Sequence, residues 1–494
     1  MKLIHKIFVA AAALGVFTGC ENLEQEPYNG LPLEKSLKNM NAAETWHNGF
    51  YSSCRTIFTL KEIYSDIQSD LVNACIGWGN RGGTFHNWTV QSGDSDTATI
   101  WFNRYDNIAN LNYFIENASS VLTETDAERT KLSQYIGEAY ILRAYYYLQL
   151  VQRYCSEYSD SNKNTPELGL PLVVKYDIKA LPSRATLEET YQLILSDIAQ
   201  AKTRLASVAG QVGANYLTID AVKAIEARAL LAKKEYAQAY TVAAALVDAG
   251  HYPLATSLQE LKNMWHKDAT NESIFQLFSS IEETTRRKFG EEGGYLNYNR
   301  QYNIYTPDYI PSQWVVDLYD NADLRKDVYF LRFNRVYLNK RLNNIYIVNK
   351  YPIGLYSQNS YVHAPKVLRI AEQYLIAAEA AYKKGDETNA KNYLNKLRAK
   401  RGIADVSTTG SALFTEIKNE RLREFAFEGF RLDDLKRWGD ELKRRDPQGL
   451  SYINTSPPEN FYTLQRAAND YGFVWPIPEY DRQINKNLKQ NPGY

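Results

Sequence analysis

The stretch Glu416–Gly439, EIKNERLREFAFEGFRLDDLKRWG, decides how the chain is read. Ile417, Arg421, Phe425 and Glu428 recur at i, i+4, i+8 and i+11, which predicts one long helix running into a turn and a second short helix. One face of it mixes apolar and charged groups. Glu420 and Arg423, Arg421 and Glu424, and Glu428 and Arg431 are pairs of opposite charge three residues apart. Such a pair adds only about 0.2–0.5 kcal/mol to an exposed helix. Half-buried against Phe425, Phe427 and Trp438, the network would matter more, because breaking a buried pair strands a charge. The competing reading is a glycosidase-like carboxylate pair, Glu424 with Glu428. An Arg near each carboxylate argues against it: such pairing keeps carboxylates ionised, whereas a general acid needs a raised pKa.

The residues Glu420-Arg421, Glu424-Phe425, Glu428-Gly429, Arg431, Asp434-Leu435 and Arg437-Trp438-Gly439 carry a family likeness. The segment resembles the C-terminal signature of the SusD/RagB family of Bacteroidetes outer-membrane nutrient-binding lipoproteins. The tail agrees, with Trp475-Pro476-Ile477-Pro478-Glu479, Asn485-Lys486-Asn487-Leu488 and Gln490-Asn491-Pro492-Gly493-Tyr494. So do Gly137-Glu138-Ala139, Leu142 to Tyr147, Asp323 and Arg325. The resemblance implies a mostly α fold, a tetratricopeptide-like helical-repeat scaffold with long loop insertions and a few short strands. It also implies glycan capture at the cell surface and delivery to a SusC-like TonB-dependent transporter.

Composition fits a globular protein: 494 residues, 44% hydrophobic and 23% charged. Basic and acidic residues balance at 57 each, so charge gives no case for nucleic acid. The 38 Tyr and 8 Trp are too many for core packing alone, which puts aromatics at surfaces or sites.

Residues 1–19 read as a lipoprotein signal peptide: Lys2 and Lys6, an apolar run from Ile7 to Val16, then Phe17-Thr18-Gly19-Cys20 as a lipobox. Phe17 stands where Leu is usual. Cys20 is the expected lipidation site, and residues 20–40 an anchored tether. Its acidic start, Glu21 to Pro27, resembles the surface-export signal of such lipoproteins. Residues 41–494 are expected to form one domain, with helical hairpins at about 126–250 and 366–430 and a loop insertion at about 272–365. Of the remaining cysteines, Cys54 and Cys75 could pair; otherwise Cys54, Cys75 and Cys155 are small buried hydrophobes.

Helices are expected over Asn41–Phe58, residues 96–117, Asp126–Cys155 with Asp126 as N-cap, and from the Thr186–Glu189 capping box through Leu205. Further helices are expected at 218–233, 235–249, Pro311–Tyr319, Lys366–Lys384 and Thr388–Arg401. Ile274–Phe278 reads as a strand, and the proline-rich tail as extended chain. Alanines 221, 224, 227 and 239 allow close helix approach.

Between the first two helices lies Gly77-Trp78-Gly79-Asn80-Arg81-Gly82-Gly83, then Phe85-His86-Asn87-Trp88. The GxGxxG at 77, 79 and 82 lacks its context, because a short β-like run is expected after it rather than a helix. A sugar surface fits better. Indole faces stack on sugar rings while Asn and Arg offer fixed hydrogen-bond groups to hydroxyls. Trp78, Asn80, Arg81 and Trp88 are therefore candidate ligand contacts. Residues 290–309 form a second candidate, rich in Gly, Asn and Tyr, with Tyr295, Tyr298 and Tyr302 as contacts.

No catalytic motif, cofactor fingerprint or metal-ligand spacing is present; the six histidines are scattered. The expected function is glycan binding without catalysis. A peptide ligand, a purely structural repeat scaffold and, less favoured, a glycoside hydrolase are the alternatives.

Overall fold

The computed structural model describes residues 36–57, 64–75, 78–280, 298–299, 301–334, 336–337, 341–352, 363–445, 447–449 and 462–494. The leader, Cys20, Gly77 and Tyr295 lie outside the described residues. The helices are α1 (Met40–Ile57), α2 (Tyr64–Gln68), α3 (Gly83–His86), α4 (Ser95–Asn117), α5 (Asp126–Tyr154), α6 (Leu187–Arg204), α7 (Ile219–Ala232) and α8 (Tyr236–Asp248). They continue with α9 (Leu258–His266), α10 (Gln313–Asp317), α11 (Lys326–Tyr329), α12 (Ile370–Lys383), α13 (Glu387–Lys400), α14 (Gly410–Phe425), α15 (Arg431–Trp438) and α16 (Glu479–Ile484). Short strands are β1 (Val72–Ala74), β2 (Ser273–Gln276), β3 (Tyr298–Asn299), β4 (Ile304–Tyr305), β5 (Tyr309–Pro311), β6 (Phe330–Phe333), β7 (Val336–Tyr337), β8 (Arg341–Leu342), β9 (Ile345–Val348) and β10 (Lys366–Arg369).

The fold is mostly α, a tetratricopeptide-like helical scaffold with few short strands. Helices α4 to α8 pack each against the next, and the stack then continues through α12, α13 and α14. Small residues set the spacing: Ala221, Ala224, Ala227 and Ala239 are fully buried where α7 meets α8. Everything between α8 and α12 is an insertion into this stack. It leaves through β2 and returns through β10, and the two pair antiparallel at its base.

That pairing corrects one helix expectation. Lys366–Arg369 is strand, and the helix begins at Ile370, whose N–H bonds the Glu272 carbonyl at 2.9 Å. Other boundaries shift for local reasons. Thr125, not Asp126, caps α5, because its extended backbone lets its hydroxyl meet the Glu128 N–H while Glu128 reaches back. The run after the glycine loop is the helical turn α3, not β-like chain. The tail after Pro478 forms α16 rather than staying extended, proline being tolerated just before a helix. The helix in 311–319 is shortened to α10 because Tyr309–Pro311 pairs as β5. Cys54, Cys75 and Cys155 are all buried and none forms a disulfide, so Cys54 and Cys75 do not pair.

The signature segment forms α14, a turn and α15, as its periodicity predicts. Its charges pair differently. Glu420 does meet Arg423 at 2.9 Å, but Arg421 binds Asp434 and Arg431 binds Asp70. Glu424 accepts from three guanidinium groups: Arg325 at 3.0 Å, Arg369 at 2.7 Å and Arg401 at 2.9 Å. Arg401 and Arg369 also reach Glu272, and Glu428 binds Lys350 and Arg369. Apart from Arg431, which is partly exposed, these side chains are buried. Burial pushes the Glu424 carboxyl up, but Arg401, Arg369 and Arg325 outweigh it and hold it well below the usual carboxylate range. A carboxyl so held cannot serve as a proton donor, so the Glu424–Glu428 pair is structural.

Candidate functional site

β1 and β5 bring together the two candidate ligand segments, which are more than two hundred residues apart in sequence. They pair antiparallel with Asn73 opposite Ile310 and Ala74 opposite Tyr309. The pairing extends by one bond, Cys75 N–H to the Asp308 carbonyl at 2.8 Å. Just beyond it, Gly79, Asn80 and Gly82 all take positive φ (62°, 58° and 64°), which folds residues 78–82 into a tight turn. Glycine serves two of these, and Asn tolerates the third.

The turn is fixed from the insertion side. The Arg81 guanidinium forms a two-pronged ion pair with Asp308, and the Tyr309 hydroxyl donates to the Arg81 carbonyl at 2.5 Å. Asp308 is almost fully buried, whereas the Arg81 side chain is 55% exposed. Arg81 thus keeps one face toward solvent while its fork is held. The Asp308 hydrogen bonds push the Arg81 pKa up, while burial pushes the Asp308 carboxyl up against the pull of Arg81. Trp78 is half-buried, set edge-on to Tyr309 at 5.7 Å and to His86 at 5.6 Å. Asn80 is exposed, and its side chain lies over Gly83, where any Cβ would collide with it.

On the insertion side, the sheet order is β3–β4–β7–β8. Tyr298 stands opposite Tyr305 in β4, their rings 5.0 Å apart, and its hydroxyl bonds Asn303 at 3.0 Å. Tyr302, at the tip of this hairpin, is 59% exposed. Tyr305 and Tyr309 are fully buried and serve the core. Cys75, Tyr305, Ile310, Val336 and Ile347 form a small hydrophobic cluster of their own, with Tyr298 packed on it. The two segments are therefore joined through β1–β5 and Asp308, although Trp78 packs on the main core and Tyr298 on this smaller cluster.

Trp88 is placed elsewhere. Its indole N–H donates to the Gln68 carbonyl at 2.6 Å, and its ring packs on Phe473 at 5.1 Å and against Gly472. Sequence reasoning missed Asp308 as the group that positions Arg81. Nothing local marks it, since its partner lies on the far side of the helical stack in sequence. Among the described residues no cluster of His, Cys, Asp and Glu could hold a metal ion, and no helix is long and apolar enough to cross a membrane.

The chain is thus a helical-repeat scaffold that presents a clamped aromatic loop. Two family models match most of it: one described as "SusD family" over residues 256–494, the other as "Starch-binding associating with outer membrane" over residues 23–231. The chain belongs to the SusD/RagB family. It is similar to SusD-like protein P2 of Formosa agariphila, 24% identical over an alignment of 529 residues that covers 96% of this chain and 97% of that protein. SusD-like protein P38 of the same organism is also 24% identical, over 64% of this chain but only 59% of its own length. A crystal structure of a SusD superfamily protein from Bacteroides thetaiotaomicron superposes with a TM-score of 0.78 at 25% identity, covering 92% of this chain and all of that one. A putative sugar binding protein from Bacteroides vulgatus superposes with a TM-score of 0.76 at 25% identity, over 93% of this chain and 99% of that one.

Proposed function

We propose that this chain is a cell-surface glycan-binding lipoprotein that captures oligo- or polysaccharide and passes it to a SusC-like TonB-dependent transporter. The observation that carries the reading is the Trp78–Arg81 turn, clamped by Asp308 and Tyr309 beside the exposed Tyr302 hairpin. It offers an indole, an exposed amide, a fixed guanidinium and a phenol on one rigid support, the mix that sugar hydroxyls and ring faces require. The family descriptions of starch binding and outer-membrane association agree with it. Lipidation at Cys20 would hold the protein at the outer membrane, and the outer face of the helical stack would dock the transporter. Binding without turnover is the expected chemistry, because the Glu424–Glu428 pair in the signature is locked by Arg325, Arg369, Arg401 and Lys350.

Calorimetry against a panel of polysaccharides, oligosaccharides and peptides tests this. Saturable heat from one glycan class, lost in Trp78→Ala with helicity unchanged, is expected. Saturable heat from peptides alone would replace the glycan with a peptide ligand. Heat that continues at a steady rate would mean catalysis.

A further inference from the structure

The Trp78–Arg81 turn is also held from behind, by a residue far along the chain. Its floor is α2: a Cβ on Gly82 would stand 3.5 Å from both Ile67 and Tyr64, so the turn lies in contact with that short helix. The last carbonyls of a helix have no helical partner. Arg444 takes those at the end of α2. Its Nε donates to the Ser69 carbonyl at 3.1 Å, and its Nη2 to those of Ile67 and Gln68, each at 3.2 Å. Its Nη1 faces His86 Nδ1 at 3.5 Å. One guanidinium thus bridges the chain that enters the turn, at residues 67–69, and the chain that leaves it, at His86.

Arg444 is 2% exposed, and among the described residues no carboxylate pairs with it. Burial pulls its guanidinium down to about 9, so it stays charged at neutral pH. A buried charge without a counter-ion is costly, and only a planar fork of donors meets three carbonyls and an imidazole at once. Burial, with the Arg444 charge, pushes the His86 imidazole well below its ordinary 6.5 and keeps it neutral. With a donor facing Nδ1, the neutral ring carries its proton on Nε2. The His86 ring in turn lies 5.6 Å from Trp78 and 5.5 Å from Tyr309, whose hydroxyl holds the Arg81 carbonyl.

The brace is itself fixed. Leu442 is fully buried with Leu432 and Leu435 of α15 and with Phe473, and Trp88 packs on that group. The Arg444 N–H bonds the Leu464 carbonyl at 2.9 Å. Gln68 adds a second tie, donating to the Gly472 carbonyl at 2.9 Å and accepting from Trp475 Nε1 at 2.8 Å. On the reading of the turn as a glycan surface, we propose that Arg444 is its positioning residue. It sets the placement of α2 beneath the turn and of His86 behind Trp78, without touching the glycan.

The test reads the turn itself. The full chain is labelled with fluorotryptophan, and the Trp78 fluorine resonance is assigned by its loss in Trp78→Phe. Arg444→Met keeps much of the length and removes every donor. It is expected to shift the Trp78 resonance and to speed amide exchange over residues 78–89 about tenfold relative to α5. Arg444→Lys keeps the charge without the fork and should give a smaller shift in the same direction. Gly250→Ala, just past α8, is the control for destabilisation alone and should leave both readouts at their wild-type values. A Trp78 resonance and turn exchange unmoved in Arg444→Met, or moved equally in Gly250→Ala, would overturn the proposal. If Arg444→Met does not fold, Arg444→Lys and His86→Phe, which removes only the imidazole acceptor, decide it by the same readouts. Neither readout needs a ligand, so the brace can fail while glycan binding stands, and glycan binding can fail while the brace stands.

Discussion

Glu424 is the residue on which the buried charge network turns, because three guanidinium groups converge on one carboxylate. Glu424→Gln keeps the shape and removes the charge. Three buried cations then share only what remains, and the loss should reach about 3–5 kcal/mol in denaturant unfolding. A loss under 1 kcal/mol would show that the cluster is solvated. A second residue reports on pH. Burial pulls the His266 imidazole down from its ordinary 6.5 to about 4. Between those values the unfolded chain binds the extra proton and the folded chain does not, so stability falls as pH drops from 6.5 to 4. Wild type should therefore lose more stability over that range than His266→Gln. Asp66, which burial raises to about 7, acts in the opposite direction in both proteins and cancels in the difference. Parallel slopes would contradict the assignment.

At the scale of elements, glycines separate helix ends from helix interiors. Gly250, just past α8, has φ 69° with no atom near the position of a Cβ. Gly250→Ala should therefore cost about 1–2 kcal/mol by backbone strain alone. Gly49 inside α1 has open space and no positive φ, so Gly49→Ala should gain about 0.5–1 kcal/mol. Thermal unfolding of both variants against wild type checks the contrast. The helices were legible because apolar spacing and capping residues are local; the Thr186–Glu189 box opens α6 as read. β10 was hidden, since Lys366–Arg369 runs into α12 with no break in composition and only Ser273–Gln276 makes it a strand. The ion pairs were misread for the same reason. Spacing of three suggested Arg421 with Glu424, yet that contact is weak on a helix, and Asp434 and distant arginines offered better geometry. The candidate ligand segments were singled out by residue type alone, and the clamp between them was not legible, because Asp308 is fixed only by β1–β5 pairing. Of the tyrosines in residues 290–309, Tyr305 and Tyr309 proved to be core, a distinction that composition cannot make.

For the whole molecule, the helical stack is continuous in space and broken in sequence. α8 packs on α12, although the entire insertion lies between them. The charge cluster spans the same break, drawing Glu272 from its start, Arg325 from its middle, Arg369 from its end and Arg401 and Glu424 from beyond it. A chain cut before Gly410 lacks Glu420, Glu424 and Glu428, and should show no cooperative melting by calorimetry; a sharp transition in that fragment would refute the dependence. The cluster also works as an assembly checkpoint. A partly folded chain that buries some of these charges before the others arrive is penalised, so halfway structures are thinly populated and the last contacts form together. A fold held this way then opens rarely, since its most mutually dependent contacts are the ones that solvent ions reach least.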